Sequence, residues 1–295
     1  MTLDSDLKDQ LRRVLTSVEQ VLPRPIPKID WSQCMAANWR QHKLNGFFEA
    51  LSTDDSLHLD TLLGIDRQKT ILEGNTLQFL AGYPANNALL WGTRGTGKSS
   101  LIKAMLNRYS SKGLRIIQVD KDDLHSLPEI FIKIKDEPYR FIIFCDDLSF
   151  DSGEKGYKIL KSTLDGSMYT LPKNSLIYVT SNRRYLIPEY ATDNLGAKMV
   201  NNEVHHGEGV EEKVSLSDRF GLWVAFHVFS QEQYLQVVKQ SVKTLCADHN
   251  IQPTWDRDVE QAAIAWANEK SKQCGRTANQ FARRWVGQKL LNQER

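Results

Sequence analysis

The run Leu89-Leu-Trp-Gly-Thr-Arg-Gly-Thr-Gly-Lys-Ser-Ser-Leu101 decides how this chain folds. Inside it, Gly92, Gly97, Lys98 and Ser99 stand at the spacing of a phosphate-binding loop. The flanks agree with the pattern. Ala88–Trp91 is an apolar run of strand length, and from Ser99 and Ser100 onward Leu101, Ile102, Met105 and Leu106 recur on one helical face. A strand, a tight glycine turn and a helix N-terminus are therefore expected in that order. Gly92, Gly95 and Gly97 have no Cβ, so the backbone through Thr93, Arg94 and Thr96 can curl and turn its N–H groups inward. The helix dipole adds partial positive charge at the same place. Lys98 brings a full charge to the phosphates, and the Ser99 hydroxyl can ligate Mg²⁺.

Outward from the loop, further apolar runs alternate with helical patterns. Leu114–Val119, Phe141–Cys145, Ser175–Thr180 and Leu222–Phe229 read as strands, and Phe141-Ile-Ile-Phe-Cys145 suits a parallel strand buried on both faces. Residues 58–82 lead into a helix carrying Ile71, Leu72, Leu77 and Leu80, and another helix is expected around Asp122–Lys135. The alternation predicts an α/β domain with a mostly parallel sheet. Beyond residue 230 the pattern turns helical. Ser230-x-x-Gln233 is a capping box opening a helix to about Asp248, and Asp256–Lys272 and Thr277–Leu291 follow. Before the domain, Leu3, Leu7, Leu11, Val14, Leu15, Val18 and Leu22 mark an amphipathic helix. Pro23, Pro25 and Pro27 then enforce an extended segment. Residues 28–57, with Trp31, Trp39, Phe47 and Phe48 among polar residues, read as a small helical region packed on the main domain, with partner binding as the alternative.

The bulk numbers exclude several classes. The chain has 295 residues, 41% hydrophobic and 25% charged, as in ordinary globular proteins. A net charge of +2 implies no strong field and neither supports nor excludes nucleic-acid binding. Cys34, Cys145, Cys246 and Cys274 form no C-x-x-C pair, which argues against zinc ligation and a disulfide framework and fits a cytosolic protein. No signal-peptide pattern and no membrane-spanning apolar stretch is present in the sequence.

Candidate chemistry clusters at strand ends. Asp146-Asp147 follows the Phe141 run; an acid there stands beside Ser99 and holds Mg²⁺, which nominates Asp146. Asp147 is the candidate base for an attacking water, with an acidic strand cap as the bland alternative. Asn182 ends the next strand, where an amide can orient water or simply form a turn. Arg219, in Ser215-Leu-Ser-Asp-Arg-Phe-Gly, is anchored among apolar and turn residues. It suits either a guanidinium held for a phosphoryl group or a surface salt bridge. Arg276 opens the last helix, and Arg283-Arg284 read as a solvated face. The polar segment 188–214 contains His205-His206 but no acid or cysteine completing a metal site.

In order and spacing these residues resemble the AAA+ ATPases over about residues 58–295. Gly92–Ser99 matches Walker A, Phe141–Asp147 Walker B, Asn182 sensor 1, Arg219 the arginine finger and Arg276 sensor 2, while Leu63-Gly64-Ile65-Asp66 looks like the segment lining the adenine pocket. The phrases Phe-Cys-Asp-Asp-Leu-Ser-Phe and Thr-Ser-Asn-Arg-Arg are similar to a bacterial branch of unassigned function. The resemblance implies a five-stranded parallel P-loop core flanked by helices and a C-terminal all-helical lid. It also implies ATP with Mg²⁺ and a ring or open oligomer in which Arg219 serves the next subunit. The chain then divides into an N-terminal helical region (1–57), an AAA+ nucleotide-binding domain (58–229) and a helical lid (230–295). One position departs from the family, which usually has Glu where Asp147 stands; Asp is one methylene shorter, and water positioning is sensitive to about 1 Å.

The expected function is ATP hydrolysis used to remodel or move a macromolecular partner, with a protein as the expected partner. Two alternatives remain open at this point. One is an ATP-driven assembly switch with little hydrolysis, suggested by Asp147. The other is a nucleic-acid-acting loader, for which Arg183-Arg184 and Arg283-Arg284 are weak support.

Overall fold

A computed structural model describes residues 10–14, 28–41, 46–150, 154–166, 171–184, 186, 198–200, 203–205 and 216–293. Its centre is one seven-stranded sheet. Strands β1 (Ala36–Gln41), β2 (Gly46–Leu51), β3 (Ala88–Gly92), β4 (Leu114–Gln118), β5 (Arg140–Cys145), β6 (Ser175–Ser181) and β9 (Leu222–Phe226) lie in the order β2-β1-β4-β5-β6-β3-β9. All neighbours are parallel except β1 and β2. Two short strands, β7 (Lys198–Val200) and β8 (Glu203–His205), pair antiparallel inside the polar segment, whose other residues, His206 included, lie outside the described ones.

The continuous apolar runs work as expected. Phe141 to Cys145 are buried, and alternate residues serve opposite faces of the sheet. Ile142, Phe144, Leu90 and Tyr178 meet α1 (Asp66–Leu80) and α2 (Lys98–Tyr109). Phe141, Ile143, Leu89, Ile177 and Val179 meet α3 (Leu127–Ile134) and α4 (Lys155–Leu164). The C-terminal part is helical: α5 (Gln231–Asp248), α6 (Arg257–Glu269) and α7 (Gly275–Gln293). Both bonds of the Ser230–Gln233 capping box are present. Tyr234 is fully buried, and its hydroxyl donates to Ala263 O at 3.1 Å, joining α5 to α6. The parallel core with flanking helices and C-terminal helices agrees with the arrangement that the resemblance implies, with two strands more than the expected five. Among the described residues no helix is long and apolar enough to cross a membrane.

The two extra strands correct the helical reading of residues 28–57. Ala36–Leu51 is a hairpin on the edge of the sheet, with β1 parallel to β4. Ala37 and Trp39 alternate inward and are fully buried, and Trp31 packs edge-on against Phe48 and Phe141. The open edge of β4 supplies the backbone partners that turn a mixed polar-aromatic stretch into strand. Buried Arg115 locks the lead-in: its Nε donates to Trp31 O at 2.7 Å, and its guanidinium lies 4.1 Å from the Tyr139 ring centre. Of the expected N-terminal amphipathic helix, residues 10–14 are helical and exposed; the rest lies outside the described residues.

Candidate functional site

The site forms where β3, β5 and β6 end. β3 stops at Gly92, whose φ is 127° and whose Cβ, had it one, would lie 1.9 Å from Phe226 O on β9. Only glycine fits so close an approach. Thr93 N donates to the same oxygen at 3.1 Å, and Thr96 Oγ1 closes the turn on Thr93 O at 2.7 Å. Gly97 caps α2 in the left-handed region, with Lys98, Ser99 and Ser100 in the first turn.

Lys98 is 7% exposed and points back over the loop. Its Nζ donates to Gly92 O at 2.8 Å and Thr93 O at 2.9 Å and lies 3.4 Å from Asn182 Oδ1. Burial pushes the Lys98 pKa below the ordinary lysine value, and the charges of Asp147 and Asp146 oppose that shift. Ser99 Oγ donates to Asp146 Oδ1 at 2.6 Å. This hydroxyl–carboxylate pair at a helix N-terminus is an oxygen donor set of the kind that Mg²⁺ takes, together with phosphate oxygens.

Asp147 has φ 51°, a left-handed backbone that Asp tolerates better than most residues. Its Oδ1 accepts from Asn182 Nδ2 and its Oδ2 accepts from Arg94 Nη2 at 2.9 Å. Thr180, 1% exposed on β6, touches both acidic residues, one through its carboxylate and the other through its amide. Its hydroxyl donates to Asp146 Oδ1 and accepts from Asp147 N at 2.8 Å. The sequence reading missed Thr180. The available signal was its spacing of two from Asn182, which in a strand puts both side chains on one face.

The C-terminal helices close on the loop. Arg276 N donates to Gly95 O at 3.2 Å, and a Cβ on Gly95 would meet Arg276 Cβ and Cys274 Sγ at 2.9 Å. Arg276 thus reaches the loop through its backbone, and its charge is felt at Lys98. Gly64 and Ile65 sit in the same corner. Ile65 Cδ1 lies 3.4 Å from the Cβ position of Gly97, and Phe229 lies 3.5 Å from that of Gly64. Loop, Gly64–Ile65 turn and lid base are therefore contiguous.

Arg219 is not part of this cluster. It precedes Leu222, and β9 must run from there to Phe226 before it meets Gly92, a span of about 13 Å along the strand. Its Nε pairs with Asp165, the residue capping the C-terminus of α4. The two arginine pairs named in the sequence are partly engaged within the chain: Arg184 lies 5.7 Å from the Trp91 ring centre and Arg284 5.1 Å from that of Trp266.

The family model of DUF815, described as a protein of unknown function, matches residues 32–289. No curated protein matches the chain. Among solved structures, the chain is similar to a point mutant of RuvB from Thermotoga maritima at 16% identity and a TM-score of 0.49, over 77% of this chain and 64% of that one. It is also similar to the Thermotoga maritima RuvB described as a Holliday junction branch migration motor, at 12% identity and a TM-score of 0.41, over 76% and 70%. The chain thus spans just under two thirds of the length of the first of these.

Proposed function

The chain belongs to the DUF815 family, and from its fold and the geometry of its loop we propose that it binds ATP with Mg²⁺ and hydrolyses the nucleotide, as an assembly of identical subunits, to remodel or move a macromolecular partner. The observation that carries this reading is the meeting of Lys98 with Asn182 and of Ser99 with Asp146, at the ends of three adjacent parallel strands. In this reading the loop N–H groups and Lys98 hold the phosphates, and Ser99 and Asp146 hold Mg²⁺, which when bound neutralises phosphate charge. Asp147 takes the proton of the attacking water while Asn182 orients that water. Gly64, Ile65 and Arg276 frame the nucleotide from the lid side. The distance of Arg219 from its own loop supports a role on the nucleotide of the next copy.

Turnover of ATP by the purified chain tests the proposal. Lys98→Ala and Arg219→Ala should each abolish it. An equimolar mixture of the two variants should recover part of it, because some junctions then join an intact loop to an intact arginine. Full activity of Arg219→Ala alone would remove the finger assignment.

A second reading, an assembly switch that hydrolyses little, is favoured by one observation: the short Asp147 carboxylate is engaged by both Arg94 and Asn182. Tight ATP binding with negligible phosphate release, and equal assembly with a non-hydrolysable analogue, would select it.

A further inference from the structure

Arg94 occupies a position where the loop pattern asks only for backbone, and the sequence reading uses it for its N–H alone. Its side chain leaves the loop. It crosses the mouth of the site and donates through Nη2 to Asp147 Oδ2 at 2.9 Å. Asp147 is bonded to Asn182, Asn182 lies 3.4 Å from Lys98 Nζ, and Lys98 is bonded to the loop carbonyls of Gly92 and Thr93. These four side chains make a circuit that leaves the loop at Lys98 and returns to it at Arg94.

We infer that the Arg94 guanidinium distinguishes a nucleoside triphosphate from a diphosphate by contacting the terminal phosphate. The inference rests on the nucleotide reading above and concerns the same site. Its first support is position. The loop amides cradle the inner phosphates and Lys98 reaches outward to the terminal one, so the outermost phosphate falls in the space bordered by Lys98, Asn182, Asp147 and Arg94. Its second support is the weakness of the present pair. The Arg94 and Asp147 side chains are 62% and 54% exposed, and an exposed ion pair contributes little. A terminal phosphate carries more charge than one carboxylate and offers oxygens that a guanidinium fork grips bidentately. Exchange of partner is therefore favourable. Its third support is electrostatic. Asp146 and Asp147 are balanced by Lys98 and Arg94. Without Arg94, a third phosphate would approach the Asp147 carboxylate with no loop guanidinium to offset the two negative charges, whereas a diphosphate ends before reaching it. Loss of Arg94 thus penalises the triphosphate selectively.

The test is calorimetric titration of the full chain with Mg²⁺ and either ADP or the β,γ-imido analogue of ATP, for wild type, Arg94→Ala and Arg94→Lys. The expected result is a loss of roughly tenfold or more in affinity for the triphosphate analogue in Arg94→Ala, the size of a lost charged hydrogen bond. ADP affinity should stay within about twofold, and Arg94→Lys should fall between because it keeps the charge without the fork. Retained ADP binding serves as the folding control. Equal weakening of both nucleotides, or no change in either, would overturn the inference while leaving the nucleotide site in place. Failure of wild type to bind either nucleotide would instead overturn the functional reading, and this inference with it.

Discussion

Replacing Thr180 by Val removes one oxygen and keeps the shape of a residue that is 1% exposed, so its effect isolates the hydroxyl. That hydroxyl donates to Asp146 and accepts from the Asp147 amide at 2.8 Å. Valine ends the first bond and orphans the amide. A bond to a charged group is worth about 1.5–3 kcal/mol and an unpaired donor costs a similar amount, although Asp146 keeps Ser99 at 2.6 Å. A net loss of about 2–3 kcal/mol follows. For a chain of 295 residues it lowers the melting temperature by about 3–5 °C. Thr180→Ser keeps the hydroxyl and gives up one buried methyl, about 0.8 kcal/mol. Melting curves of the three proteins, with ATP turnover measured alongside over a range of Mg²⁺, check the argument. Valine should lower both stability and turnover, and serine should leave turnover near wild type. Melting of the valine variant with wild type, or equal turnover in the two variants, would refute the claim that this hydroxyl sets the Asp146 carboxylate and the Asp147 backbone.

Two further outcomes follow from the same residues. Asp147→Glu restores the side-chain length common in AAA+ proteins but places a longer residue in a left-handed backbone, so it should destabilise the fold by about 1 kcal/mol without raising turnover; denaturant midpoints and phosphate release measure this. Burial lowers the Lys98 pKa from 10.5, so the folded chain loses that proton before the unfolded one. Between the two values the unfolded chain binds more protons, and this group's contribution to stability rises with pH. The neutral amine no longer attracts phosphate. As pH rises, nucleotide affinity should therefore begin to fall before pH 10.5 is reached, and Lys98→Met should bind none; affinity constant up to pH 10.5 contradicts this.

The parallel core was legible because each strand announces itself locally. Phe141–Cys145 is apolar throughout, and the glycine spacing after Trp91 admits few backbones. The hairpin was not legible, because Asn38, Arg40 and Gln41 interrupt the apolar signal and its strand character comes from pairing with a β4 that lies far along the chain. That the loop, Asp146 and Asn182 lie close together follows from their places at the ends of neighbouring strands. What spacing does not carry is side-chain direction. The turn of Arg94 onto Asp147 depends on the left-handed backbone at Asp147, and the pairing of Arg219 with Asp165 depends on where α4 ends. The sequence nominates Arg276 for its charge, yet the group that meets the loop is its backbone amide.

That amide has a mechanical consequence. The Arg276 amide fastens the first turn of α7 to the Gly95 carbonyl, and α7 runs 19 residues to Gln293, a rod about 28 Å long. A peptide-plane rotation at Gly95 that tips the rod by roughly 10° carries its far end about 5 Å. The phosphate loop is in this sense the short arm of a lever, and Gln293 marks the end that travels.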